Sequence, residues 1–199
     1  MTKQRTVAIL LMDDVEDLDF CGPMSVFSMA NRNLDPEPFS IFTVAEKKKS
    51  LTTRHGLVVT PSYGFDNHPA IDILVVPGGL GARREVHNDT VKTWLRKNAG
   101  TVDHLLSVCT GALLIGAAGL LDGLQATTHH SAYEKLAEIA PAATVIRDRR
   151  FVDNGKIITA AGVTAGIDAA IHLAEKLVDD ACAKKIMAIL EYQPPAVTS

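Results

Sequence analysis

Short apolar segments alternate with helical patterns along the whole chain, and this alternation constrains the fold more than any other feature. Residues 7–12 form a continuous apolar run, as expected of a strand that is covered on both faces. Residues 88–97 show the spacing of a helix with one apolar face, which Asn88 or Asp89 can cap. Strands that alternate with helices predict an α/β fold, in which helices sandwich a mostly parallel sheet.

The same criteria assign an element to most of the chain. Strands are expected at residues 7–12, 39–45, 71–76, 102–108 and 144–147, with an extended pair at 51–60 and a hairpin at 151–160. Helices are expected at residues 23–31, 88–97, 110–121, 131–139, 165–178 and 181–192. No repeat or linker interrupts the pattern, so we expect a single domain over residues 1–199.

Charge and cysteine content exclude several classes of protein. The 20 Lys and Arg residues nearly balance the 23 Asp and Glu residues, which gives no electrostatic reason to expect binding to nucleic acid or to an anionic membrane. Three cysteines, an odd number, suit a reducing compartment better than a disulfide framework. No apolar stretch has the length of a signal peptide core or of a membrane span. We therefore expect a cytoplasmic protein.

Cys109 is the residue most indicative of chemistry. It lies between an expected strand and an expected buried helix, at a sharp bend of the kind that carries nucleophiles. The N-terminus of a helix favours thiolate over thiol, and Gly111 leaves room for the bend and for a substrate. The alternative is a small cysteine used for packing, which is how we interpret Cys21 and Cys182.

Asp19 is a second candidate because it stands between Leu18 and Phe20. An acid within an apolar stretch needs a partner or a raised pKa. A carboxylate beside Cys109 could relay a proton to or from the sulfur or a substrate. Glu16 is the alternative candidate for that role.

The glycine-rich segment at residues 77–81 follows an expected buried strand. Gly78 and Gly79 can turn backbone N–H groups toward an anion or a developing negative charge, and a plain turn is the alternative. The segment lacks the last small residue of a dinucleotide-binding fingerprint, and the chain has no Walker A motif. No nucleotide cofactor is therefore expected.

The seven histidines do not form a recognisable metal motif, since no Cys or His pair has zinc-binding spacing. No metal site is expected. His129 and His130 are adjacent, so their side chains should point in different directions unless the backbone bends sharply. One of them could flank Cys109 as a base or a hydrogen-bond partner, and helix capping or surface exposure is the alternative.

Several segments, taken in order, resemble the PfpI/ThiJ superfamily, which has the class I glutamine amidotransferase-like, flavodoxin-like fold. The likeness is greatest to isonitrile hydratases and to the ligand-binding domain of certain AraC-type regulators, and it extends over residues 6–192. The segments that carry it are residues 18–23 (LDFCGP), 75–79 (VVPGG), 107–112 (SVCTGA), 126–129 (ATTH) and 162–168 (GVTAGID).

The resemblance implies a role for individual residues. Cys109 matches the nucleophile, Asp19 the acid that contacts it, and Thr110 a residue that holds active-site hydrogen bonds. The substrate-binding and oxyanion-binding positions that it implies are Gly22, Gly78, Gly79, Leu80, His129 and His130. It further implies a homodimer without a cofactor that converts isonitriles, small electrophiles, into N-substituted formamides through a covalent thioimidate.

Two departures from the family pattern bear on activity. The family's peptidases have histidine directly after the nucleophile, where this chain has Thr110, so peptidase activity is not expected. Hydratases usually have an aromatic residue where this chain has His130. The alternatives are glyoxalase-like or deglycase-like chemistry on α-oxoaldehydes, or a non-enzymatic thiol or ligand sensor. DNA binding is not expected, because the family's regulators carry an added helix-turn-helix region of roughly 100 residues and nothing follows Ser199 in this sequence.

Overall fold

Strands and helices alternate in the computed structural model, which describes residues 4–32 and 34–194. Its strands are β1 (Arg5–Leu10), β2 (Phe39–Ala45), β3 (Leu51–Thr52), β4 (Val58–Val59), β5 (Tyr63–Gly64), β6 (Ile73–Val76), β7 (His104–Val108), β8 (Gln125–Ala126), β9 (Thr144–Val145), β10 (Phe151–Asp153) and β11 (Ile157–Ala160). Its helices are α1 (Asp17–Ala30), α2 (Leu80–Glu85), α3 (Asp89–Thr101), α4 (Gly111–Ala117), α5 (Tyr133–Ile139), α6 (Ala165–Leu177) and α7 (Asp180–Ile189). A 3₁₀ turn at His130–Ala132 precedes α5.

One seven-stranded sheet forms the centre of the molecule, in the order β10-β11-β7-β6-β1-β2-β5. Its neighbouring strands are parallel, except for the antiparallel pair of β10 and β11. The helices pack in two groups, one of α1, α6 and α7 and the other of α2, α3, α4 and α5, and both groups contact the sheet. The predicted α/β fold with a mostly parallel sheet is confirmed.

The central strands are apolar because helices cover them. All four residues of β6 are buried, as are the last four residues of β1 and of β7. Such strands have no solvent-facing side, so they lack the polar alternation of a half-exposed strand. No helix among the described residues is long and apolar enough to cross a membrane.

The order of the strands places a crevice at one edge of the sheet. After β1 the chain adds β2 on one side, and it later returns to add β6 on the other side of β1. Ligands of such sheets bind at this switch point, beyond the carboxyl ends of the strands. The loops that follow β1 and β6 meet there and are joined by a β-bridge between Val15 and Gly79.

The first helix differs from its prediction, because α1 begins at Asp17 and includes Pro23. Proline inside a helix removes one backbone hydrogen bond, so its position suggested a helix start. Burial of Phe20, ahead of the proline, together with Val26 and Phe27 outweighs that loss. Asp19 therefore lies in the first turn of a helix and not in a loop.

The fourth helix ends earlier than predicted, at Ala117 instead of residue 121. Gly119 has a φ of 74°, its N–H donates to Gly116, and the N–H of Leu120 donates to Ile115. These two bonds terminate the helix, as commonly happens where a glycine follows a helix C-terminus.

Two other features were not predicted. One is α2, which begins within the glycine-rich segment, and the other comprises the two-residue strands β5 and β8. Residues 1–3, 33 and 195–199 of the predicted domain lie outside the described residues.

Candidate active site

Cys109 occupies the bend between β7 and α4. Its φ of 56° is in the left-handed region, which costs a residue with a side chain about 1 kcal/mol or more. The surroundings hold this conformation: the N–H of Cys109 donates to the carbonyl of Ala161 at 2.9 Å, and the Thr128 hydroxyl donates to the carbonyl of Cys109 at 2.8 Å. A Cβ at Gly111 would overlap the Val76 carbonyl oxygen, so only glycine fits there. The structure thus has the predicted strand-to-helix bend.

Asp19 lies next to this cysteine and is completely buried. Its Oδ2 accepts a hydrogen bond from the Gly78 N–H at 3.1 Å. Its Oδ1 is buried without a hydrogen-bond partner among the described residues. The Cys109 thiol is close enough to alter the pKa of this carboxyl group. An incompletely paired, buried carboxylate is costly, which makes the protonated form of Asp19 accessible.

Asp19 and Cys109 both have a raised pKa, so each group keeps its proton to a higher pH than usual. Burial raises the pKa of Asp19 to about 7, against the Gly78 N–H and the Cys109 thiol, which lower it, and the charge of Glu16 raises it further. Burial, followed by the charge of Asp19, raises the pKa of Cys109 to about 12, although the N–H groups of Thr110 and Val163 oppose this. The N–H of Thr110, at the start of α4, lowers the pKa of Cys109 as expected, but loss of solvation and the charge of Asp19 outweigh this effect.

The glycine segment and Thr110 form a hydrogen-bonded clamp. The Gly79 N–H donates to the Thr110 hydroxyl at 2.9 Å, and that hydroxyl donates to the Gly79 carbonyl at 3.1 Å. Since the Gly78 N–H donates to Asp19, neither of the glycine N–H groups expected to bind substrate is free. The N–H of Leu80, the first residue of α2, has no acceptor within that helix.

The two histidines lie side by side and do not diverge as expected. Their ring centroids are 4.1 Å apart at an interplanar angle of 36°, because the chain bends into the 3₁₀ turn at this point. His129 lines the cavity beside Cys109, and its Nδ1 lies 2.8 Å from the Ser131 hydroxyl. Burial, His130 and Arg83 lower the pKa of His129. His130 is exposed and does not line the cavity.

Gly22 also lies away from the cavity. A Cβ at this position would meet the side chain of Ile167 at 3.0 Å, so Gly22 lets α1 approach α6. Gly22 was predicted to contact substrate, but in the structure it serves the packing of α1 against α6.

An open cavity of about 310 Å³ leads to the sulfur of Cys109. Four of its lining residues were not among the predicted site residues, namely Arg54, Arg83, Ser131 and Val163. Arg83 and Val163 lie in segments that the sequence singled out, residues 77–83 and 162–168. The φ of 46° at Val163 is a further left-handed bend beside the cysteine. The full lining is Glu16, Arg54, Gly79, Leu80, Arg83, Cys109, Thr110, His129, Ser131 and Val163.

Two other features of this edge carry less chemistry. A cavity of about 180 Å³ lies beyond β1 and β2, with Met12, Glu46 and Lys47 in its lining, but no cysteine lines it. Glu16, Asp17 and His55 bring potential metal ligands within 4.8 Å of one another. Both carboxylates already have protein partners, since Glu16 contacts His55 and Asp17 accepts a hydrogen bond from Thr53. The site geometry therefore points to Cys109.

Comparisons with known proteins agree with this fold. The model of the DJ-1/PfpI family matches residues 5–176. An isonitrile hydratase from Pseudomonas putida is 34% identical over 188 residues, covering 94% of this chain and 78% of that protein. The HTH-type transcriptional regulator GbdR from Pseudomonas aeruginosa is 30% identical over 169 residues, covering 85% of this chain but only 46% of the regulator. The crystal structure of a THiJ/PfpI family protein from Pseudomonas syringae superimposes with a TM-score of 0.87 at 28% identity, covering 97% of this chain and 77% of that one.

Proposed function

The chain belongs to the DJ-1/PfpI family, and from this premise we propose that it hydrates isonitriles to N-substituted formamides. Cys109 is the nucleophile and Asp19 the general acid and base. The observation that carries the proposal is a cysteine at a strained bend, open to a cavity and set beside a buried carboxyl group whose pKa is about 7. Similarity to an isonitrile hydratase over 94% of the chain supports the choice of substrate.

The protonation state of the pair suits this chemistry. With a pKa of about 7 for Asp19 and about 12 for Cys109, the pair holds one proton over the range between these values. In that state the Asp19 carboxylate accepts the thiol proton as the sulfur attacks, so no free thiolate has to exist beforehand.

In the first step the sulfur bonds to the terminal carbon of the isonitrile. Asp19 gives the proton taken from the thiol to that carbon, and the N≡C triple bond becomes the C=N double bond of a thioimidate, R–N=CH–S–Cys109. In the second step Asp19 removes a proton from water, the hydroxyl group adds to the same carbon, and the nitrogen receives the proton. The C–S bond then breaks, the hydroxyl proton returns through Asp19 to the sulfur, and the formamide R–NH–CHO leaves.

Incubation with an aryl isonitrile tests the proposal. The wild-type protein should form the N-aryl formamide, which mass spectrometry detects, and Cys109→Ala should form none above the uncatalysed background. Formation of the product by wild-type protein at no more than the rate of Cys109→Ala would exclude the proposed reaction.

A second enzymatic candidate is glyoxalase-like or deglycase-like chemistry on α-oxoaldehydes, which the presence of His129 in the cavity favours. It predicts lactate from methylglyoxal and loss of that activity on replacement of His129. The thiol-sensor hypothesis is less well supported. It depends on an exposed cysteine of low pKa, whereas Cys109 is 7% exposed and has a raised pKa.

The remaining parts of the proposal concern the whole protein. We propose a single domain over residues 1–199, a cytoplasmic location and a homodimer that needs no cofactor. The substrate is a small electrophile, and the proposal includes no binding to nucleic acid, although relatives such as the regulator GbdR are transcriptional regulators.

A further inference from the structure

Two arginines line the cavity in front of Cys109, and they differ in how their charge is balanced. Arg54 lies 3.6 Å from Glu16, measured from its Nε to Oε2. Arg83 donates a hydrogen bond from Nη2 to the Ser131 hydroxyl at 3.1 Å. Among residues 4–32 and 34–194, no carboxylate oxygen is found within 4.0 Å of the Arg83 guanidinium group. Within the described part of the chain, Arg83 therefore forms no ion pair.

The other residues of the lining do not offset the positive charge of Arg83. Glu16 is the only carboxylate in the lining, and its Oε1 is 2.9 Å from His55 while its other oxygen faces Arg54. Burial, His130 and the positive charge of Arg83 lower the pKa of the neighbouring His129, which favours its neutral form. The lining carries two guanidinium groups against one carboxylate.

Arg83 is also held in position for a ligand. Its bond to Ser131 uses one of the five N–H donors of the guanidinium group, and the Ser131 hydroxyl is in turn 2.8 Å from Nδ1 of His129. The fork of a guanidinium group matches the two oxygens of a carboxylate, and such a pair is stronger than a hydrogen bond between neutral groups. A partly buried guanidinium group at the entrance to a nucleophile is suited to hold a charged substituent of the reacting molecule.

We propose that the substrate carries a carboxylate and that Arg83 binds it while the electrophilic carbon faces Cys109. The substrate class is thus an isonitrile bearing a carboxylate, an identification that rests on the hydratase function proposed above. Arg54 adds a second positive charge to the lining, and Arg83 determines specificity.

The first experiment compares kcat/KM for isocyanoacetate and for its methyl ester, which have the same reactive group and differ in charge. Wild-type protein should prefer the carboxylate by about tenfold, the value that a charge-assisted hydrogen bond provides. Arg83→Gln should remove the preference, chiefly by raising KM for isocyanoacetate, so that the ratio of the two kcat/KM values falls towards one. Arg149→Gln is the matched control, since Arg149 is exposed, lies outside the cavity and undergoes the same change of charge.

The second experiment does not depend on isonitrile turnover. Iodoacetate and iodoacetamide both alkylate cysteine by displacing iodide, and they differ in charge. The ratio of carboxymethylation to carbamidomethylation of Cys109, measured on the peptide by mass spectrometry, should fall several-fold in Arg83→Gln and stay constant in Arg149→Gln. An unchanged ratio in Arg83→Gln overturns the inference.

The two experiments separate the two proposals. Turnover of both isonitriles without a preference for the carboxylate overturns the role of Arg83 and leaves the hydratase function in place. An Arg83-dependent alkylation ratio without turnover of either isonitrile overturns the hydratase function and supports an anion-selective cavity.

Discussion

Asp19 and Cys109 titrate as one unit because each is buried against the other. The charge of Asp19 opposes ionisation of the thiol, and burial opposes ionisation of the carboxyl group itself. The singly protonated pair forms as the pH rises through about 7, and it is the state that can pass a proton from sulfur to substrate. Gly78 lies 59 positions from Asp19 in the sequence, and its N–H lowers the pKa of Asp19 through one hydrogen bond.

The raised pKa of Asp19 predicts a cost in stability. The folded value of about 7 lies above the value of 3.8 for an unperturbed aspartate, so the folded protein holds this proton more tightly than the unfolded chain does. The contribution of Asp19 to the free energy of unfolding therefore falls as the pH rises from 3.8 to about 7, and its full penalty, about 4 kcal/mol, applies above that range.

Asp19→Asn should remove this penalty, because an amide does not ionise. We expect the variant to be more stable than the wild type at about pH 8, with a gap that shrinks as the pH falls towards about 4. Urea denaturation of both proteins across this range measures the gap. A gap that is constant with pH would show that Asp19 titrates normally in the folded protein.

Short elements act at the site by bringing backbone segments unusually close together. The start of α4 packs against the end of β6, and the loop before α2 packs against Asp19 and Thr110. A Cβ at Gly78 would lie 2.5 Å from the Thr110 nitrogen and 2.9 Å from Oδ2 of Asp19. The absence of a side chain there permits the hydrogen bonds from the Gly78 N–H to Asp19 and from the Gly79 N–H to Thr110. Glycine is required at these positions because neighbouring elements leave no room for a side chain.

Two glycines in helices provide a matched comparison at this scale. Gly111→Ala should lower the free energy of unfolding by about 2 kcal/mol or more, because its Cβ would overlap the Val76 carbonyl at the α4–β6 contact. Gly100→Ala in α3 should raise it by about 0.5–1 kcal/mol, since no atom lies within 4 Å of the added carbon and alanine favours the helix. Urea denaturation compares the two variants, and equal effects would contradict the proposed contact.

At the scale of the whole molecule, a partly buried ion pair links segments that are distant in the sequence. Arg150, just before β10, contacts Asp168 of α6, and the Tyr192 hydroxyl donates to the other oxygen of Asp168 at 2.6 Å. Arg150 also donates to the Thr164 hydroxyl at 3.1 Å, next to the Val163 bend that faces Cys109. The network connects the sheet edge, a helix and the end of the described chain.

Tyr192→Phe should destabilise the protein by about 1–2 kcal/mol, the cost of a lost hydrogen bond to a buried carboxylate. Thermal unfolding measures the loss, which is expected as a shift of a few degrees. The rate of formamide formation should remain at the wild-type value at a temperature where both proteins are folded. A variant as stable as the wild type would contradict the role of this bond.

Patterns within short stretches of sequence predicted much of the fold. The expected strand at residues 39–45 coincides with β2, and the expected hairpin corresponds to β10 and β11. The Asn88 cap of α3 was also predicted, and its side chain accepts from the N–H groups of Thr90 and Val91. These features depend on residues close together in the sequence, so local sequence patterns predict them. The start of α1 was missed because burial of Phe20 is a property of the packed molecule.

The sequence by itself determined the alternation of strands and helices, the parallel sheet and the bend at Cys109, because each follows from residues a few positions apart. Only the tertiary structure decided the protonation of that cysteine, since burial and the Asp19 charge both arise from folding. The same holds for the hydrogen bond between Gly78 and Asp19, which are 59 positions apart, and for Arg83, which meets Ser131 from 48 positions away. Contacts over such separations depend on the order of the strands in the sheet, which no local pattern of residues specifies.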